Sequence, residues 1–362
     1  MTPAPPHLVP YVPDQTFSPG EALRDRLTEL GMSQADLAAR SNLSTKHVNQ
    51  IIHGIAPITH ETALAFERVT STPARLWNAL EAAYRDWLVR TRQNLPSPQD
   101  LAWLRTLPVA ELQRRGLIVA SESRGEIMQS ILAFFGVADR TAWERIWVKP
   151  AASFRRSKVF RSNPGATASW LRIGELDGRP KPSKPFDAKA FRDVLNYVRR
   201  LTRRADFSDD VVSKCAEAGV IVVFVTEIPG CRANGAARWL TPTKALIQLS
   251  DRHKREDSFW FSLFHEGGHV LLHSKRDMFV SDGESGVDTF EDEADRFSAD
   301  FLIPPSYAQH LQALATDGQV QTFADELGIA PGIVVGRLHK EGYWDWKRGN
   351  HLIRKLHIVD ED

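Results

Sequence analysis

Residues 264–273 read FHEGGHVLLH and place three histidines and one glutamate in a short, largely apolar run. His265 and His269 are four residues apart, so on a helix their side chains share one face. Glu266 follows the first histidine and is rotated about 100° around the helix axis. The apolar residues before this run continue the pattern, which predicts one long helix over residues 257–274.

This spacing is suited to metal binding, because two imidazole nitrogens on one helical face can point at one ion. Glu266 can then reach a water molecule beside the ion rather than the ion itself. The pattern is the HExxH arrangement of zinc peptidases, with two histidine ligands and a glutamate base. A chance match in a chain of this length is on the order of a few per cent. We therefore predict Zn²⁺ as cofactor, His265 and His269 as ligands, and Glu266 as a catalytic residue.

A tetrahedral zinc site needs a third protein ligand. His273 lies roughly 12 Å along the axis from His265, so we expect it to act beside the ligands or on the substrate, as a second catalytic residue. The next predicted helix, EDEADRFSADFL (291–302), offers the candidate carboxylates Glu291, Asp292, Glu293 and Asp295 near its start. We choose Glu293, because it lies in line with Phe297 on the expected buried stripe. For the others we expect a solvated helix start, where carboxylates favour the helix dipole.

Residues 18–54 predict two short helices on either side of a four-residue turn. Ser33 is suited to cap the first of these helices and Ser44 the second, whose Val48 and Ile51 face inward. This arrangement fits the DNA-reading helix-turn-helix. The outward side chains of the second helix can form hydrogen bonds with base edges; they are Thr45, Lys46, His47, Asn49 and Gln50. Gln34, at the start of the preceding helix, can contact a phosphate.

Charge gives an alternative for this segment. Residues 17–90 hold eight basic and eight acidic side chains, so they lack the positive footprint of a strong DNA binder. The alternative is a helical dimerisation module that does not grip DNA.

The chain of 362 residues is long enough for two or three domains. We predict an α+β, mostly helical protein, and its C-terminal strands are GVIVVFVTEI, GAARWLT and KALIQLS. The expected divisions are a Pro-rich arm (1–16), a five-helix helix-turn-helix domain (17–92), a helical, basic middle region (93–205) and a zincin-like metallopeptidase domain with a small β-sheet (206–362).

The charges are segregated although the net charge is only +1. Residues 111–205 hold 20 basic and 9 acidic side chains, and residues 148–165 hold five basic side chains and no acidic one. Residues 282–300 hold eight acidic side chains and one arginine. Aromatic residues interleave the basic run, which leaves two alternatives open: a surface for nucleic acid or an acidic partner, and plain solvated surface.

Two cysteines, Cys215 and Cys231, cannot form a disulfide framework. The N-terminus has no basic start followed by an apolar block, so we expect no signal peptide. The apolar run AGVIVVFV (218–225) is too short to cross a bilayer. These features favour a cytoplasmic protein without membrane contact.

The motifs resemble two known families. FHEGGHVLLH with EDEADRFSADFLIP is similar to the ImmA/IrrE zinc metallopeptidases, and SPGEALRDRLTELGMSQADLAARSNLS resembles Cro/repressor-like helix-turn-helix domains, more narrowly the HigA-type antitoxins. The resemblance implies that His265, His269 and the helix-borne Glu293 carry zinc and that Glu266 is the base. One departure is Gly267-Gly268, where two glycines cost a helix about 1 kcal/mol each relative to alanine. The pair could loosen the site or let a peptide backbone approach.

The resemblance implies a DNA-binding regulator fused to a zinc endopeptidase, which cleaves or regulates a repressor-type protein in a stress, mobile-element or toxin–antitoxin setting. Implied partners are operator-like DNA, the protein substrate, a toxin, and a second copy bound through the helix-turn-helix domain. We expect the substrate along an edge strand formed by KALIQLS, and Arg252 and His253 are candidate oxyanion donors. The alternative is a non-catalytic HigA-like antitoxin or repressor whose zinc domain senses a ligand or binds a toxin.

Overall fold

The computed structural model describes residues 17–93, 96–148, 163–252, 254–275, 278–281 and 289–356. The predicted arm at 1–16, His253 and most of the basic run at 148–165 lie outside these ranges. The described chain divides into two compact units. The first contains the residues up to Ser97 together with Ser123–Glu126, and the second contains Pro98–Glu122 and the residues from Ile127 onward.

Within residues 17–93, the first unit has the five helices that the sequence predicts. They are α1 (Pro19–Glu29), α2 (Gln34–Ser41), α3 (Thr45–Ile52), α4 (His60–Thr70) and α5 (Ala74–Gln93). Ser33 and Ser44 cap α2 and α3 by accepting backbone hydrogen bonds, as expected. Val48 and Ile51 are buried in the core of this unit, where Trp77 packs edge to face against a neighbouring aromatic ring.

The chain then continues mostly as helix. The elements are α6 (Pro98–Leu104), α7 (Val109–Arg114), α8 (Arg124–Phe135), α9 (Arg140–Trp143) with a π-helical turn (Glu144–Val148), α10 (Pro164–Gly178), α11 (Ala188–Leu201), α12 (Ser208–Glu217), α13 (Glu256–Leu272), α14 (Thr289–Leu302), α15 (Pro305–Ala308), α16 (Asp317–Leu327) and α17 (Pro331–Lys340). Two 3-10 turns lie at Leu311–Ala313 and Asn350–Leu352. No described helix has the length and apolar character needed to cross a membrane.

The described residues also form one small sheet. Its strands are β1 (Val220–Phe224), β2 (Gly235–Thr241), β3 (Lys244–Leu249) and β4 (Phe279–Ser281), in the order β1-β3-β2-β4. β3 runs parallel to β1 and antiparallel to β2, while β4 runs antiparallel to β2. KALIQLS (β3) is therefore an interior strand, so the prediction that it forms the substrate-binding edge is wrong. The mostly helical α+β class is confirmed.

The sheet separates two hydrophobic cores. Along β1, Val220 and Val222 enter one core, whereas Ile221 and Val223 enter the other, as strand alternation requires. The first core contains apolar side chains of α13, and the second contains those of α10. The helices of the middle region thus share a core with the sheet.

An ion pair anchors the start of α13. Glu256 is fully buried, and its carboxylate accepts hydrogen bonds from the backbone and the guanidinium of Arg354 at 2.9 and 2.6 Å. The same guanidinium also donates to the carbonyl of Thr202. The C-terminal segment therefore ties the first turn of α13 to the chain just after α11.

Candidate metal centre

The side chains of the HExxH run lie deep in the second unit. His265, Glu266 and His269 are buried, with at most 3% of each residue exposed. They project from α13, which packs between the sheet and α14. Residues 262–270 of this helix are all buried, so the polar groups among them need partners within the protein.

His265 and His269 meet a carboxylate of α14. Their Nε2 atoms are 3.0 Å apart. Glu291 Oε2 lies 3.2 Å from Nε2 of His265, and Glu291 Oε1 lies 3.4 Å from Nε2 of His269. Among the described residues, these three form a group whose ligand atoms could hold a metal ion.

The third member of this group differs from the sequence-based choice. The Glu293 side chain is 58% exposed, and its Oε2 atom lies 3.1 Å from Nε2 of His273. Glu293 is not a member of the group that His265 and His269 form. The buried stripe of α14 runs through Ala294 and Ser298 rather than through the phenylalanines. The prediction of Glu293 as the third member is therefore wrong. Glu291, which borders that stripe, supplies the carboxylate of this group.

Small residues bring α13 and α14 close together. A Cβ atom at Gly268 would lie 3.4 Å from the Cα atom of Ala294 and 3.0 Å from Phe297. Ser298 Oγ donates a hydrogen bond of 2.9 Å to the carbonyl of Phe261. The glycine at 268 thus admits the neighbouring helix, while Gly267 faces Leu195.

The electrostatics of the cluster favour a cation. Burial would lower the pKa of His265, but hydrogen bonds to Asp295 and Glu291 raise it to about 10. Burial lowers the pKa of His269 to about 4, so this ring is neutral at pH 7 and keeps a lone pair. Burial would raise the pKa of Glu291, whereas its hydrogen bonds to both histidines lower it to about 2. Carboxylates thus draw positive charge into this buried place.

The donor set and its spacing fit zinc. Two imidazole nitrogens and a carboxylate oxygen are ligands that zinc takes in catalytic sites, with a fourth position left open. Ligand atoms about 2.0–2.1 Å from one tetrahedral ion lie about 3.3 Å from each other. The observed separations are 3.0, 3.2 and 3.4 Å. The residues present therefore suit this ion.

Glu266 lies beside the cluster and contacts the sheet. Ser281 Oγ, on β4, donates a hydrogen bond of 2.6 Å to Glu266 Oε1, while Oε2 is buried without a hydrogen-bond partner among the described residues. A Cβ atom at Gly235, which pairs with Ser281 across β2 and β4, would lie 2.6 Å from Oε1. Burial raises the pKa of Glu266 to about 8. The glycine therefore makes room for the carboxylate that the serine holds.

Sequence reasoning missed the contacts of Ser281, Gly235 and Asp295. Asp295 Oδ1 lies 2.8 Å from His265 Nδ1. β4 has only three residues, which is too short for alternation to reveal it. The acidic run contains Asp295, but the sequence pattern alone does not distinguish which of its carboxylates contacts which histidine. Of the two candidate oxyanion donors, Arg252 donates to the carbonyl of Arg232, and His253 lies outside the described residues.

The candidate DNA-contacting side chains lie on α2 and α3. They are exposed or half-buried: Gln34, Thr45, Lys46, His47, Asn49 and Gln50. Asn49 Nδ2 donates a hydrogen bond of 3.3 Å to Gln34 Oε1 and so links the two helices. This geometry leaves the outer face of α3 accessible.

Two family models match this chain, one in each of its two parts. Residues 221–339 match the family model of the IrrE N-terminal-like domain of peptidase family M78, and residues 23–77 match that of a helix-turn-helix domain. The comparison with curated proteins found no match.

Similar solved structures include three antitoxin-type proteins, each aligned to 22% of this chain with a TM-score of 0.21. An addiction module antidote protein of the HigA family from Coxiella burnetii is 30% identical, with 87% of its chain covered. The Pseudomonas aeruginosa antitoxin HigA with higBA promoter shows the same values. A putative antidote protein of a plasmid maintenance system from Nostoc punctiforme is 24% identical, with 86% covered.

The family models thus assign residues 23–77 to a helix-turn-helix domain and residues 221–339 to an IrrE-like domain of peptidase family M78. The second of these ranges carries the histidine-rich centre on a buried helix.

Proposed function

We propose that the chain is a DNA-binding regulator whose second unit is a zinc-dependent endopeptidase. The observation that carries this proposal is the convergence of His265, His269 and Glu291, with Glu266 next to the first ligand on α13. A site that only held zinc would have no need of a further buried carboxylate at this position. His265, His269 and Glu291 would hold the ion.

The chemistry divides between the ion and the protein. When bound, zinc supplies an electrophilic centre that polarises a scissile carbonyl and acidifies water. Glu266 accepts the proton of the attacking water and then delivers it to the departing amine. Ser281 holds one carboxylate oxygen of Glu266, so that the other oxygen remains to receive the proton.

The sheet suggests where a peptide binds. Among the described strands, β1 and β4 form the edges. β4 carries Ser281 against Glu266, and its Phe279 ring stacks on His269 with centroids 4.0 Å apart. An extended substrate would add to the edge at β4 through main-chain hydrogen bonds, which replaces the interior strand β3 in that role.

The first unit would bring this activity to DNA. We assign base-edge contacts to α3, with Thr45, Lys46 and Asn49 exposed on its surface. The substrate class is a repressor-type DNA-binding protein, the setting is stress response, mobile elements or toxin–antitoxin systems, and a second copy binds through the first unit. These assignments rest on the resemblance of the sequence motifs.

Cleavage by the zinc-loaded full chain tests the proposal. Repressor-type proteins encoded beside this protein are incubated with the wild type and with Glu266→Gln, and fragments are identified by mass spectrometry. Glu266→Gln should keep its zinc, because it changes no ligand, and should cleave about 10²–10⁴-fold more slowly. Equal cleavage by both forms, or cleavage by neither, would contradict the peptidase function.

The second candidate function is a non-catalytic repressor or antitoxin whose zinc domain senses a ligand or binds a toxin. One observation favours this function: Glu266 is fully buried, and one of its carboxylate oxygens already accepts a hydrogen bond from Ser281. In this case a cellular phenotype would survive Glu266→Gln and disappear when α3 is altered.

A further inference from the structure

We infer that Glu293 and His273 form a hydrogen-bonded chain that fixes the proton of His269 and so positions this ring as a metal ligand. The inference rests on the proposed zinc site and adds two positioning residues to it. Glu293 does not touch the ion site in this arrangement, and His273 acts only through His269.

The three side chains are in contact one after another. His269 Nδ1 lies 2.8 Å from His273 Nδ1, and His273 Nε2 lies 3.1 Å from Glu293 Oε2. The remaining ring nitrogen of His269, Nε2, faces His265 and Glu291. The chain therefore runs from an exposed carboxylate to the buried cluster.

The protons in this chain can be placed in only one order. Nε2 of His269 must be unprotonated to bind a metal, so the neutral ring carries its proton on Nδ1. This N–H donates a hydrogen bond to Nδ1 of His273, which must therefore be unprotonated. The proton of His273 lies on Nε2, where the Glu293 carboxylate accepts it. Without Glu293, His273 could carry its proton on Nδ1 and oppose the N–H of His269.

Packing holds the middle of the chain in place. α13 ends at Leu272, and His273 has extended backbone angles of φ −111° and ψ 172°, so its ring leaves the helical path. The His273 side chain is only 2% exposed. Its ring packs against Phe279 and Phe290, with centroids 5.1 and 4.8 Å away. A ring confined in this way can impose its proton position on His269.

The two ligand histidines are thus oriented from the same helix by different routes. Asp295 of α14 bonds His265 directly at 2.8 Å, and Glu293 of α14 reaches His269 through His273. Groups that orient metal-binding histidines typically change metal affinity by about 10–100-fold when they are removed. A plain surface ion pair between Glu293 and His273 would leave zinc binding unchanged.

A double-mutant cycle on the full-length chain separates these two possibilities. Zinc affinity is measured by competition with a chelator for the wild type, Glu293→Ala, His273→Ala and the double variant. Each single change should weaken binding about 10–100-fold, and the double variant should be no weaker than His273→Ala alone. Asp292→Ala, which removes an exposed carboxylate from the same helix, should bind as the wild type does.

Conservative variants test positioning rather than general structure. His273→Asn can keep an acceptor opposite His269 but is too short to reach Glu293. It should recover part of the affinity and should be insensitive to Glu293→Ala. The visible absorption spectrum of bound Co²⁺ should change in His273→Ala and should return part of the way to that of the wild type in His273→Asn.

Three results would overturn the inference: wild-type zinc affinity in Glu293→Ala, an equal effect of Glu293→Ala with and without His273, or a weaker site in His273→Asn than in His273→Ala. Should His273→Ala fail to fold, the comparison of His273→Asn with and without Glu293 gives the same decision. Full zinc binding in His265→Ala would instead overturn the proposed function, since that variant lacks a ligand.

Discussion

Glu291 uses its two oxygens on different partners, one toward His265 and the other toward His269. It can do so because it is largely buried beside the stripe that α14 presents to α13. Neighbouring carboxylates on the same helix turn point elsewhere, since residues one or two apart do not share a face.

We predict that Glu291→Ala loses zinc and Asp292→Ala does not. Removing a direct ligand should weaken zinc binding by more than the roughly 100-fold that an orienting group can cost. Metal analysis after dialysis against a weak chelator measures the difference. Full zinc occupancy in Glu291→Ala would show that another carboxylate is the ligand.

The sequence allowed prediction of His265, Glu266 and His269, because the period of one helix fixes which of their side chains share a face. Glu291 could not be chosen in this way. The face of α14 that is buried depends on contact with α13, where Ala294 and Ser298 allow a close approach. The aromatic residues of α14 suggested a different stripe.

β4 has only three residues, but two of them contact the candidate site. It brings Ser281 to Glu266 and Phe279 to His269, and it forms one edge of the sheet. β1, β2 and β3 could be predicted from the sequence, and β1 most directly from its apolar run. β4 could not, and the interior position of β3 could not either, because strand order depends on pairing between distant segments.

We predict that Ser281→Ala slows peptide cleavage about tenfold while zinc binding stays unchanged. The variant leaves the buried Glu266 carboxylate without its hydrogen bond, and such a bond to a charged group contributes about 1.5–3 kcal/mol. Ser281→Thr keeps the hydroxyl and serves as the matched control. A kcat equal to that of the wild type in Ser281→Ala would exclude an orienting role for this serine.

The anchor of α13 gives a prediction on stability. Arg354→Ala leaves the buried Glu256 without its cation and should lower the free energy of unfolding by about 3 kcal/mol. Burial raises the pKa of Glu256, and losing Arg354 raises it further in the folded state. Folding then binds a proton, so the deficit should grow as the pH rises from 5 to 8.

Urea denaturation at both pH values measures this effect, with the exposed Lys355→Ala as control. Equal losses in Arg354→Ala and Lys355→Ala, or a deficit that shrinks at high pH, would contradict the assignment.

The whole molecule joins two compact units, each with its own candidate site. The helix-turn-helix and the HExxH run could both be predicted, because each lies in one continuous stretch of sequence and is defined by the spacing of its residues. The extent of the second unit was harder to predict, because the middle helices share a core with distant strands.

We predict that Lys46→Ala and Asn49→Ala change DNA recognition without changing zinc content. Both side chains are assigned to base edges, so each should contribute about 1–3 kcal/mol of base discrimination, and each variant should have a relaxed sequence preference. Binding-site selection from random duplexes, followed by affinity measurements on selected and random DNA, tests this. Equal wild-type affinity for both kinds of DNA would exclude sequence reading by α3.

The tight seam between α13 and α14 also bears on how such a protein evolves. At Gly268 and Ala294 an added methyl group or two would push against the facing helix, and Glu291 would move with it. Neither residue carries any reactive group. A lineage could therefore lose peptidase activity through a substitution that leaves the two histidines and both glutamates of the site unchanged. A search for the motif would still classify the inactive proteins as enzymes.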